Sequence, residues 1–187
     1  MPLDPAAPPP PFPPASREAA RAPLLRIGTA RGDAPRVVLD SNIWIDLLVF
    51  QDPHVQPIRA ALESGAIAAL IRADCREELR RVLAYPQFAR FAVDIDTALD
   101  TVDGLTARME PPSPAEFDAI RLPRCRDTDD QKFIELAHFA QAACLVSKDR
   151  AVLKLRGRLR RSSGVEVLAP PAFAPWLAAY EAQSAAR

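Results

Sequence analysis

Val37-Val38-Leu39-Asp40-Ser41-Asn42 decides the fold. Three consecutive apolar residues, with no alternation, suit a strand buried on both faces of a parallel sheet. The run stops on an aspartate, and a polar turn follows. Asp40 therefore falls at the carboxyl edge of its sheet, where open α/β sheets bind their ligands.

Outward from this strand, apolar runs alternate with helical periodicity. Residues 43–49 predict a helix with Ile43, Trp44, Leu47 and Leu48 on one side. Pro57 opens a second helix that stops at Gly65, and residues 66–71 read as the next strand. Asp74 with Glu77 resembles a capping box for a helix to Leu83, and residues 95–109 predict another helix. A short strand is expected over 119–122. Thr128 with Gln131 reads as the capping box of a long helix reaching about Ala142. Strands over 143–146 and 165–168 and a terminal helix over 172–180 complete the pattern. Strand and helix in alternation argue an α/β fold with a central parallel sheet covered on both faces.

Helical spacing then separates the acids that matter from those that do not. Cys75, Leu79 and Val82 form the apolar stripe of their helix, and Glu78 shares it, whereas Glu77 lines up with Arg80 and Arg81. In the later helix Phe133, Ile134, Ala137 and Ala140 form the buried face. Asp130 precedes it at helical spacing, with Asp129 displaced toward solvent. Asp149 ends the apolar run Leu145-Val146-Ser147-Lys148-Asp149, as Asp40 ends its own. Each acid has an ordinary structural explanation: Asp40 as a helix cap, Asp130 as a complement to a helix dipole, Glu78 as the partner of an arginine. Together they outweigh it, because ionised carboxylates on core-facing positions need a shared counter-charge. Asn42 and Ser147 are placed to orient those carboxylates or waters between them.

Bulk composition constrains the rest. Lys+Arg and Asp+Glu each number 24, so a nucleic-acid partner needs a local basic patch. Hydrophobic residues make up 49% and charged residues 26%, as in an ordinary globular domain. Cys75, Cys125 and Cys144 lack any C-x-x-C spacing, which fits a reducing cytoplasm better than a disulfide or zinc framework. No apolar run approaches a membrane span, and no secretion signal is evident at the N-terminus. Eight prolines in the first fourteen residues make 1–34 a tail expected to stay unfolded or polyproline II. Residues 35–182 form the expected domain, and 183–187 a C-terminal tail. Lys154, Arg156, Arg158, Arg160 and Arg161 form a basic run after Asp149. It suits RNA phosphates, an acidic protein segment or a solvated loop, and Lys148 is a further phosphate candidate or a plain surface lysine.

Four segments together resemble the PIN-domain (PilT N-terminus) family, in its branch of toxin ribonucleases from toxin–antitoxin pairs. They are Val37-Val38-Leu39-Asp40-Ser41-Asn42 with Ile43 after it, Glu78-Leu79-Arg80-Arg81-Val82-Leu83 with the trailing Pro86, Cys125-Arg126-Asp127-Thr128-Asp129-Asp130-Gln131-Lys132-Phe133 through Ala137, and Leu145-Val146-Ser147-Lys148-Asp149. The resemblance runs from about Arg36 to Tyr180. It implies a three-layer α/β/α PIN-like fold and an endoribonuclease dependent on Mg2+ or Mn2+. Its acids map onto Asp40, Glu78, Asp130 and Asp149 as catalytic residues and metal ligands, with Asn42 and Ser147 supporting them. Lys148, Lys154, Arg156 and Arg158 are the expected RNA contacts. An antitoxin partner and a homodimer are implied as well, and a catalytically inactive PIN-like scaffold binding RNA or protein is the alternative. An aspartate-nucleophile phosphatase fits less well, because its general acid two residues on is replaced by Asn42. A receiver-like phosphoacceptor leaves Glu78 unexplained.

Overall fold

Asp40 lies just beyond the central strand of a five-stranded, all-parallel sheet in the computed structural model, which describes residues 32–186. The proline-rich segment expected over 1–34 falls almost wholly outside the described residues. Strand β1 (Arg36–Leu39) pairs with β2 (Ala68–Arg72) on one side and β4 (Cys144–Val146) on the other. Beyond them, β3 (Thr106–Met109) and β5 (Glu166–Leu168) form the two edges. The chain passes from β1 outward to β3, then returns across β1 to β4. The crevice between the ends of β1 and β4 is thus the switch point at which sheets of this kind hold ligands.

Burial follows the strand order. Val37, Val38, Cys144, Leu145 and Val146 are wholly inaccessible, so helices cover the central strands on both faces. Helix α1 (Ser41–Ile45) passes into wider π-type turns over Asp46–Phe50 and buries Ile43, Trp44, Leu47 and Leu48, the expected set. Helix α2 (Gln56–Glu63) follows, and α3 (Ala73–Leu83) buries Cys75, Leu79 and Leu83. Helix α6 (Gln131–Phe139) packs against β1 and β4 with Phe133, Ile134, Leu136 and Ala137 inward. Full burial of such a side chain contributes roughly 1.5–3 kcal/mol.

Several local expectations are overturned. The helix expected over 95–109 ends early: α4 (Ile95–Leu105) gives way to β3, whose pairing with β2 outweighs local propensity. As an edge strand β3 leaves Ala107 and Arg108 exposed, so it lacks the apolar run that marks the others. The strand expected over 119–122 does not form, because β3 already occupies that edge. Instead a short helix, α5 (Pro114–Asp118), is set by a capping box between Ser113 and Glu116. The capping box expected of Thr128 and Gln131 is absent: the Gln131 Oε1 accepts from the Cys125 N–H at 2.8 Å, tying down the preceding loop. Asp74 likewise makes no box with Glu77 and instead takes a two-pronged bond from Arg72. The basic run is helical and not a loop: α7 (Arg150–Leu153) leads into α8 (Arg156–Ser163). Helix α9 (Phe173–Ala185) continues past residue 182, into the segment expected to be a tail.

Candidate active site

Asp40 is the most enclosed of the four acids, only 3% exposed. Because Leu39 and Val146 are in register, its side chain lies beside Ser147, whose Oγ donates to the Asp40 Oδ2 at 2.5 Å. The Asn42 side-chain amide donates to the same oxygen at 2.8 Å. The Asn42 Oδ1 in turn accepts from the Lys148 N–H at 3.2 Å, so this one residue ties both strand ends together. Ser147 also accepts from the Asp149 N–H at 2.9 Å. Both polar residues singled out from sequence thus bond the Asp40 carboxylate, and Ser147 also holds the Asp149 backbone. Burial pushes the Asp40 carboxyl up to about 6, against the hydrogen bonds from Ser147 and Asn42, and the charge of Glu78 adds to the rise.

Asp130 stands at the N-terminal end of α6 and makes no side-chain capping bond. Burial first, then the negative charges of Asp40, Asp149, Asp127 and Glu78, push its carboxyl up to about 7. Asp149 caps α7, its Oδ1 accepting from the Ala151 and Val152 N–H groups. Glu78 leans inward from α3 as the stripe requires, and it meets the ammonium of Lys132 rather than an arginine. Both members of this pair are largely shielded, 13% and 16% exposed. Sequence reasoning passed over Lys132, although a core-facing glutamate calls for a cation and Lys132 lies two residues past Asp130.

The expected phosphate contacts divide. Lys154 and Arg158 line a cleft of about 820 Å3 together with Arg124, Arg126 and Arg150, and Asp149 forms part of its wall. Among the described residues none of these five cations has an ion-pair partner. Arg156 is exposed and does not line that cleft. Lys148 turns away from it: its ammonium lies 2.7 Å from the buried Asp46 and 3.7 Å from Asp52. Arg124, Arg126 and Arg150 were missed because they flank the acids singly, and only folding gathers them.

A family model described as PIN domain matches residues 36–151, more than half of the chain. The chain belongs to the PIN-domain family. No curated protein matches it. The match covers β1 through the start of α7, and so includes all four acids. The PIN fold is a nuclease-type fold, and PIN domains generally work with divalent metal ions. Donor chemistry here fits such an ion: the carboxylates of Asp40, Asp130 and Asp149 repel one another, and burial together with that repulsion pushes the Asp130 carboxyl up to about 7. Among the described residues no three such side chains close round a common point, and Glu78 is held by Lys132. An ion would have to draw Glu78 from that ammonium. Among the described residues, no helix is long and apolar enough to cross a membrane.

Proposed function

We propose that this PIN-domain protein is an endoribonuclease that hydrolyses RNA phosphodiesters with Mg2+ or Mn2+, and that it serves as the toxin of a toxin–antitoxin pair. The observation that supports the chemistry is that the charges of Asp40 and Asp149 from the ends of β1 and β4, and of Glu78 from α3, all act on Asp130 at the start of α6. Asp40, Glu78, Asp130 and Asp149 would hold the ion. Once bound, it supplies charge neutralisation at the phosphate and lowers the pKa of water at the site. Ser147 and Asn42 keep the Asp40 carboxylate fixed, and Ser147 and the α7 N-terminus fix Asp149. Arg126, Arg150, Lys154 and Arg158 of the neighbouring cleft hold phosphates of the strand against the field of the acids.

RNA as the substrate, the toxin role, an antitoxin partner and a homodimer rest on the family resemblance. A cytoplasmic setting draws support from the three free, buried cysteines. The Lys132–Glu78 pair favours a second reading, a scaffold that binds without cleaving, since it neutralises one of the four acids internally. Incubating a mixed RNA pool with Mn2+ and either the native protein or Asp130→Asn separates the two. Loss of cleavage in the variant supports the nuclease. Equal cleavage by both, or none by either, removes it.

A further inference from the structure

A second cavity, about 670 Å3, opens along α6 and adjoins the basic cleft. Its lining includes Lys132 and Gln131 at the start of α6, and Thr128 and Arg124, which also line the cleft beside Asp149. The two hollows therefore meet at Arg124 and Thr128, on the segment of chain that leads to Asp130. Their chemistry differs. The cleft is lined mainly by cations, whereas the cavity presents an aromatic wall with guanidinium groups and the carboxylates of Asp74, Asp129 and Glu135 around it.

Phe117 forms that wall. It is 46% exposed, one of two large hydrophobic side chains so exposed among the described residues, and its ring lies nearly parallel to Phe139 behind it. Helix α5 carries Phe117 on a capped turn, so the ring is held out on a rigid support. Arg72 is occupied by Asp74 and Glu135 at the cavity's inner side. Arg121 and Arg124 are exposed, line the cavity and have no ion-pair partner among the described residues. An exposed ring flanked by unpaired planar cations recognises a flat, acceptor-bearing aromatic ligand.

We infer that this cavity is a base subsite. One nucleobase next to the cleaved phosphodiester stacks on Phe117, and Arg121 and Arg124 read its acceptor edge. The inference rests on the nuclease reading and adds what that reading lacks, a determinant of which RNA sequence is cut.

Binding in EDTA tests it without chemistry. Fluorescein-labelled hexaribonucleotides that differ only in one central base are titrated with native protein, Phe117→Ala, Phe117→Trp and Arg121→Ala/Arg124→Ala. Phe117→Ala is expected to weaken the best-bound oligonucleotide about 5- to 150-fold, the usual effect of removing one stacking ring, while Phe117→Trp retains binding. The double arginine variant is expected to level the preference among the four bases. Phe117 is exposed, and an unchanged melting temperature confirms that each variant is folded. Native-like binding by Phe117→Ala overturns the inference. So does an arginine variant that binds all four more weakly by the same factor, which would mark those residues as phosphate contacts. If metal-dependent cleavage persists while either of these results is found, only the base subsite falls. If Mn2+ supports no cleavage, the nuclease reading falls on its own assay.

Discussion

Replacing Asp130 with asparagine should make the metal-free protein more stable. The Asp130 carboxyl is pushed from 3.8 to about 7 by burial and by the charges of Asp40, Asp149, Asp127 and Glu78. A raised pKa means that the native state binds more protons than the unfolded chain between about pH 4 and pH 7. Stability is therefore fully present below the unfolded value and is lost as pH rises through the folded one. Three units at about 1.4 kcal/mol each set an upper bound of about 4 kcal/mol. Water reaches part of this side chain, and screening brings the expected gain down to about 1–2 kcal/mol. For a domain of this size that is a rise in Tm of about 2–8 °C. Calorimetry in EDTA from pH 4 to pH 8 measures it. The gap between Asp130→Asn and the native protein should be near zero at pH 4 and fully open at pH 8. Adding Mn2+ should then raise the native Tm and leave the variant nearly unmoved. A variant that melts below the native protein at pH 8 in EDTA, or a gap independent of pH, would refute the argument that like charges are crowded here.

Other expectations follow from single contacts. Ser147→Ala removes the donor to Asp40 and the acceptor of the Asp149 N–H, and should lower stability by about 1–3 kcal/mol in urea titrations, with Ser147→Thr restoring most of it. Lys148→Ala leaves Asp46, 4% exposed and already raised by burial, without its ammonium. Its folded pKa rises further, so the loss, about 1–3 kcal/mol, should be plain at pH 8 and shrink toward pH 5 as Asp46 takes up its proton. Gly164 ends α8 at φ +73°, and a Cβ there meets no neighbouring atom, so Gly164→Ala should cost about 1 kcal/mol in chemical denaturation through backbone strain alone. A larger loss would mean that the helix end is packed more tightly than the structure indicates.

Much of the candidate site was legible before any coordinates. Asp40 and Asp149 end apolar runs, and a run that stops on an acid marks a strand's carboxyl end whatever its neighbours are. Glu78 and Asp130 are marked by spacing, since a helix repeats its inward face every three or four residues. The errors cluster where local signals are weak. Thr106–Met109 has no apolar run and becomes a strand because β2 offers it an open edge. Gln131 has the chemistry of a cap and is used to hold Cys125.

The chain's own order of residues determined the parallel α/β class, the buried strands and the inward acids, because these depend on periodicity within one element. Tertiary structure alone decided which charges meet. The pairing of Lys132 with Glu78 joins α6 to α3, and the gathering of Arg124, Arg126, Arg150, Lys154 and Arg158 joins a loop to two helices. Coulombic interaction depends on distance through space, which no spacing along the sequence encodes.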